Sequence, residues 1–192
     1  MIQKFIDLLK DVGRVNTDKL LIELKKRGFF EAPASANHHL NKVGGLVEHS
    51  LSVYNYAKVL NEAIKNYSDD YVSPDQESIL ISALLHDVCK SDIYIPTTKR
   101  QRDPNGVWID VPGYTTSHVQ LPMGHGEKSV AMILQSGYPL TDDEMLAIRW
   151  HMYTFDVNFN SYDAINNFNE ANKRPLVKLI QIADQISTLN EC

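Results

Sequence analysis

The sequence has few cysteines and no long apolar run. Its 192 residues contain two cysteines, Cys89 and Cys192, which form no C-x-x-C pair. A disulfide scaffold or a zinc ribbon is therefore not expected, and a reducing compartment fits. No run of about 18 apolar residues is present, and the N-terminal stretch lacks the apolar core of a signal peptide. These absences predict a cytoplasmic protein without a membrane partner.

An excess of basic residues is also missing. The chain has 19 Lys and Arg against 24 Asp and Glu, a formal net charge of −5. Broad nucleic-acid binding usually shows a basic balance, so it is not favoured, although a nucleic-acid substrate stays open. The hydrophobic content of 43% is ordinary for a globular protein. The length favours a single domain over residues 1–192, with residues 1–36 as a helical extension packed on its core.

Helical periodicity dominates the chain. Thr17 is predicted as the N-cap of a helix that ends at Gly28, and Gly44-Gly45 precedes a long helix over about residues 46–66. Ser73 is predicted to cap the next helix, and the run from Thr141 to Glu144 forms a capping box before another. Residues 91–123 break the pattern around a turn at residues 103–106, which indicates a β-hairpin or an ordered loop. The predicted fold is all-α, a helical bundle with this small insert.

Polar residues interrupt the apolar helices at a few positions. His86 and Asp87 follow directly on Leu80, Ile81, Leu84 and Leu85, which share one helical face. Burying an imidazole and a carboxylate costs free energy unless a partner satisfies them, and a metal ion commonly does. The same pattern recurs elsewhere, at His49, His125, His151 and Asp184. These residue types suit a hard or borderline divalent metal, although each alone also fits an ordinary structural role.

The order His…His-Asp…His…His…Asp resembles the HD superfamily of metal-dependent phosphohydrolases. The resemblance covers roughly residues 37–189 and rests on five stretches in order: the segment from His38 through Gly44-Gly45 to His49, Ala-Leu-Leu-His-Asp-Val-Cys-Lys (83–90), Gly-His-Gly-Glu-Lys-Ser (124–129), Ile-Arg-Trp-His (148–151) and Ile-Ala-Asp (182–184). It implies an HD-type helical bundle in which His49, His86, Asp87 and Asp184 hold one metal. His125 and His151 match the additional histidines of two-metal members, with Asp87 bridging.

The resemblance also implies the chemistry. Two divalent ions, of Fe, Mn, Mg, Ni, Co or Zn, would activate a bridging hydroxide for attack on the phosphorus of a phosphoester. Asp87 and Lys90 are the predicted catalytic residues, and Lys90 would also contact the substrate phosphate. Further substrate contacts are predicted for His39, for Arg100 and Arg102 in the insert, and for His118. The predicted substrate is a nucleotide or another small phosphate.

Three other functions stay open at this point. The lead-in from His38 to His49 is similar to that of HD-type nucleases, which cleave phosphodiesters in nucleic acid. A few HD proteins with this ligand set hold two irons and activate dioxygen. A non-catalytic module that only binds a ligand is the fourth reading. Activity on oligonucleotides, dioxygen consumption and metal content would separate them.

Overall fold

The fold is seen in a computed structural model, which describes residues 1–117 and 120–190. Its α-helices are α1 Ile2–Asp11, α2 Thr17–Lys26, α3 Gly45–Tyr67, α4 Gln76–Leu85, α5 His125–Gln135, α6 Asp142–Trp150, α7 Tyr162–Ala171 and α8 Pro175–Ser187. Short 3-10 helices cover Val88–Asp92, Tyr153–Asp156 and Thr188–Asn190. The strands β1 Tyr94–Arg102 and β2 Trp108–Thr116 form one antiparallel hairpin. The predicted all-α fold with a small hairpin insert is confirmed.

The helix α4 lies at the centre of the bundle. All residues from Ile79 to Leu85 are buried, so the helix is buried on every side rather than on one face as the sequence suggested. It packs on α3 and α6, while α8 packs on α3, α4 and α6, and α5 packs on α6. The interhelical space therefore lies between α3, α4, α6 and α8, at the end of α4 where its apolar run stops.

The first two helices share the core of the bundle. Phe5 and Leu24 belong to the same buried cluster as Leu46 of α3 and Leu84 of α4. A second cluster surrounds Trp150 and unites α3, α6, α7 and α8. The organisation of residues 1–192 as one domain stays a prediction. None of the helices in the described part of the chain is long and apolar enough to cross a membrane.

Two predicted helix starts are wrong and one is confirmed. The N-cap of α4 is Asp75, whose carboxylate accepts from the amides of Glu77 and Ser78, because the hydroxyl of Ser73 is held by Asn61. The N-cap of α2 is Asn16, in the left-handed conformation at φ 63°. The capping box of α6 from Thr141 to Glu144 is present as predicted.

Candidate metal centre

The end of α4 places two polar side chains in the interior. His86 continues the helical backbone beyond Leu85, and Asp87 then leaves it at φ −104° and ψ 19°, before the 3-10 helix Val88–Asp92. Both side chains are almost fully buried. The change from α to 3-10 geometry therefore turns Asp87 toward the interhelical space instead of continuing the helix.

Four other elements bring their polar residue to the same place. His49 lies in the second turn of α3, His125 is the first residue of α5, His151 follows the last residue of α6, and Asp184 lies in α8. All six side chains predicted as metal ligands are thus brought together, although they come from five separate parts of the chain. We call these six residues the His–Asp cluster.

The two oxygens of Asp87 face different sides of the His–Asp cluster. Oδ1 lies 2.7 Å from His125 Nε2 and 3.3 Å from His151 Nε2. Oδ2 lies 3.3 Å from His86 Nε2 and 3.5 Å from His49 Nε2. One carboxylate therefore stands between two histidine pairs, which is the arrangement that a carboxylate bridging two ions requires.

Asp184 completes the side that contains His49 and His86. Its Oδ1 lies 3.1 Å from His49 Nε2 and 3.8 Å from His86 Nε2. The donor atoms of these three residues all lie within 4.8 Å of one another, as do those of the group formed by His86, Asp87 and His151. Each group offers nitrogen and oxygen donors that a divalent transition metal accepts.

The outer nitrogens of the histidines are occupied by the protein. His86 Nδ1 lies 2.8 Å from the carbonyl oxygen of Ala83, and His151 Nδ1 lies 2.7 Å from that of Ile148. A carbonyl accepts only from an N–H group, so both rings carry their proton on Nδ1 and direct an Nε2 lone pair inward. His49 Nδ1 lies 3.4 Å from the Ser187 hydroxyl, which itself donates to the carbonyl of Asp184. Such outer contacts orient histidine ligands in metal sites.

A glycine after His125 sets the approach of α5 to α6. A Cβ atom on Gly126 would lie 2.1 Å from the carbonyl oxygen of Arg149, two residues before His151. Only glycine therefore allows the two helices to come close enough for the His125 and His151 rings to lie 5.2 Å apart. The Gly-His-Gly stretch thus contains a glycine required for helix packing as well as a candidate ligand.

The charges of the cluster favour ionised carboxylates. Burial raises the pKa of Asp87, but Lys90 and the surrounding histidines outweigh it and hold that pKa well below the usual range. Burial likewise opposes ionisation of Asp184, and the contacts to His49 and His86 lower its pKa. Burial lowers the pKa of His125, but its interactions with Asp87 and Cys89 together outweigh burial and raise the pKa to about 9. A proton on His125 thus supplies positive charge beside the ionised carboxylate of Asp87.

Lys90 and His39 border the His–Asp cluster. Lys90 Nζ lies 2.6 Å from Asp87 Oδ2 and is largely buried. Burial lowers the Lys90 pKa, but the neighbouring charges, Asp87 first among them, raise it by a larger amount. The side chain therefore stays charged. The His39 ring packs at 5.2 Å from the His49 ring. Both residues therefore contact members of the cluster, and their predicted contacts with a substrate stay predictions.

Two basic residues of the insert, Arg100 and Arg102, were predicted to contact the substrate. Arg100 and Arg102 are exposed on β1, and both guanidinium groups lie over the Trp108 ring. The Lys99 ammonium instead donates to the carbonyl of Ala36 and to Asn37, which ties the hairpin to the loop before α3. The predicted substrate contacts of the two arginines stay predictions. His118 lies outside the described residues.

The sequence analysis missed two side chains of the site. Cys89 Sγ lies 3.3 Å from His125 Nδ1, and Ser187 lies against His49. Each stands three residues after a predicted ligand, Cys89 after His86 and Ser187 after Asp184. That proximity was the available signal, since a residue one helical turn from a ligand shares its side of the helix.

The donor set fits a metal ion better than it fits a closed hydrogen-bond network. His49 Nε2 and His86 Nε2 lie 3.2 Å apart, so at most one of these two inward nitrogens can carry a proton on their shared contact. The buried Nε2 of His151 has no hydrogen-bond partner in the described part of the chain. A cation satisfies converging lone pairs and buried carboxylates together, whereas a hydrogen-bond donor satisfies one acceptor at a time.

Comparison with known proteins agrees with this geometry. The HD domain family matches residues 46–189, three quarters of the chain and all six residues of the cluster. The chain belongs to the HD-domain family. HD domains bind divalent metals. Membership confirms the resemblance and supports the predicted class, a hydrolase of the HD superfamily.

One curated relative adds to the comparison. This chain is 38% identical over 110 residues to the dihydroneopterin 2',3'-cyclic phosphate phosphodiesterase of Methanocaldococcus jannaschii. The match covers 57% of this chain and 38% of that protein. The chain therefore spans well under half the length of this relative. No solved structure matches it significantly.

Proposed function

We propose that the protein is a metal-dependent phosphodiesterase for a small phosphorylated molecule, such as a cyclic nucleotide. The observation that carries this proposal is the position of Asp87 between two histidine pairs, with one oxygen toward each. A single structural ion would need one such side only. The name of the relative, a 2',3'-cyclic phosphate phosphodiesterase, supports the same class of reaction.

The proposed ligands divide into two sides. His49, His86 and Asp184 would hold one ion, and His125 and His151 the other, with Asp87 shared. Bound divalent ions supply Lewis acidity toward a phosphoryl oxygen and lower the pKa of water. The chain itself contributes the contacts of His86 Nδ1 and His151 Nδ1 to backbone carbonyls, which orient both rings with Nε2 toward the cluster.

The neighbouring residues would bind and orient the phosphate. Lys90 carries its charge beside Asp87, so it can pair with a phosphoryl oxygen at the cluster. His39 lies against His49 and is our candidate for a substrate contact or for proton donation to the leaving oxygen. Arg100, Arg102 and His118 remain candidates for contacts with the rest of the substrate.

The test is a hydrolysis assay on 2',3'-cyclic and 3',5'-cyclic nucleotides, nucleoside monophosphates and an oligonucleotide, with Mn²⁺, Co²⁺ or Mg²⁺. We expect Asp87→Ala to lower kcat/KM by at least about 10³-fold, because it removes several kcal/mol of transition-state stabilisation on both sides of the site. Asp11→Ala, which removes an exposed carboxylate on α1, is the matched control and should keep full activity.

Three results would contradict the proposal. Activity that survives in Asp87→Ala would remove the cluster from the reaction. Hydrolysis of the oligonucleotide alone would indicate a nuclease. Dioxygen consumption by iron-loaded protein without phosphoester hydrolysis would indicate an oxygenase.

A further inference from the structure

A buried sulfur atom lies beside the His125 side of the proposed metal centre. Cys89 is 1% exposed, and its Sγ lies 3.3 Å from His125 Nδ1 and 3.5 Å from His125 Nε2. The backbone amide of Cys89 donates to the Ser129 hydroxyl, four residues after His125 on α5. The structure thus fixes the cysteine backbone against the helix that carries the histidine.

The sulfur belongs to a group of donors rather than standing alone. The donor atoms of Asp87, Cys89 and His125 all lie within 4.8 Å of one another. Two ligands of one tetrahedral ion, with bonds of about 2.3 Å to sulfur and about 2.0–2.1 Å to nitrogen, are separated by about 3.5 Å. The sulfur therefore lies at the distance from the ring nitrogens that shared coordination requires.

A second observation points independently to a ligand here. His151 is 1% exposed, its Nε2 has no hydrogen-bond partner in the described part of the chain, and its ring lies 5.2 Å from that of His125. Its Nε2 is also 3.3 Å from Asp87 Oδ1. A buried nitrogen without a partner is costly, and an ion on this side would satisfy it together with the other donors.

We propose that Cys89 is a sulfur ligand on the His125 side of the centre, so that this side takes a thiophilic ion such as Zn²⁺, Fe²⁺ or Co²⁺. The inference rests on the proposed metal-dependent function. The cysteine binds as the thiolate, and its proton passes to solvent when the ion binds. The side with His49, His86 and Asp184 offers only nitrogen and oxygen. The two sides therefore differ in softness, and Mg²⁺ is disfavoured on the sulfur side.

A simple hydrogen bond is the competing explanation of the same contact. The sulfur can instead form only a hydrogen bond with His125 Nδ1, which holds the ring in place without binding an ion. Cys89→Ser separates the two explanations, because a hydroxyl donates a hydrogen bond of the same direction but supplies no sulfur. Cys89→Ala removes both.

The experiment loads the full-length protein with Co²⁺, measures bound cobalt per chain, and records the near-ultraviolet spectrum. Sulfur bound to Co²⁺ gives a charge-transfer band, whereas nitrogen and oxygen ligands do not. We expect the band in the wild type, its loss in Cys89→Ser and Cys89→Ala, and its retention in Cys192→Ser, the matched control for the other cysteine. Circular dichroism establishes that each variant is folded.

The remaining outcomes overturn the inference. Bound cobalt without the band, or a band that survives in Cys89→Ala, removes Cys89 from the ligand set while the metal centre stands. Loss of the band in Cys192→Ser would assign the sulfur to that residue. No bound cobalt in the wild type would overturn the inference, and hydrolysis assayed separately with Mn²⁺ decides whether the metal-dependent function falls with it.

Discussion

The bundle contains two buried polar clusters that solve the same problem differently. In one, Arg14 binds both oxygens of Glu144, which is fully buried, and Arg14 also pairs with Glu77. Ser78 and the amide of Thr141 donate to Glu144 as well. In the His–Asp cluster, by contrast, two imidazole nitrogens share a single contact, and a third, His151 Nε2, has no hydrogen bond among the described residues.

The difference separates a structural cluster from a binding cluster. Around Glu144, donors and acceptors of the protein match one another, so the group needs nothing from outside. In the His–Asp cluster, the side chains present converging acceptors, which only protons or a cation can satisfy. Burial alone therefore does not mark the site; the mismatch of donors and acceptors does.

The largest expected effect comes from breaking the matched cluster. Arg14→Met leaves the Glu144 carboxylate buried without its main partner, so we expect the free energy of unfolding to fall by about 3–5 kcal/mol. Urea unfolding measures this. In metal-free protein, His86→Leu should cost less, because it removes a nitrogen that faces another nitrogen. A larger loss in His86→Leu than in Arg14→Met would invalidate the distinction between the clusters.

The second prediction concerns the His–Asp cluster, where a bound metal ion should stabilise the folded protein. At 100 times its Kd, an ion that binds only the folded protein stabilises it by about 2.7 kcal/mol. We expect a rise in melting temperature with Mn²⁺ or Co²⁺ in the wild type and in Asp11→Ala, and none in Asp87→Ala. An equal rise in Asp87→Ala would place the ion elsewhere.

The smallest expected effect appears in acid. Burial raises the pKa of Glu144, but the hydrogen bond from Arg14 and those from Thr141 and Ser78 lower it overall. Its contribution to stability is therefore complete above the unfolded carboxyl pKa of about 4.3, and it is lost as the pH falls toward the lower folded pKa. Stability measured from pH 6 to pH 3 should fall less steeply in Arg14→Met. An unchanged slope would mean that Glu144 does not titrate with unfolding.

The sequence predicted which residues form the His–Asp cluster better than it predicted the helix caps. His49, His125, His151 and Asp184 could be found because polar residues in apolar helices are costly and thus conspicuous. The predicted cap at Ser73 was wrong because its hydroxyl bonds to the side chain of Asn61, twelve residues earlier. The local sequence Ser73-Pro74 does not indicate that contact. Cys89 was passed over because a lone cysteine reads as a small apolar residue until its neighbour is known.

The distance between α5 and α6 at the His–Asp cluster depends on the absence of a side chain at Gly126. The carbonyl of Arg149 occupies the space that a side chain would need. Replacing this glycine with a larger residue would push α5 and α6 apart. His125 would then move away from Asp87, although no residue of the His–Asp cluster is changed. The distance of His125 from Asp87 is thus set by how closely the backbones of α5 and α6 pack.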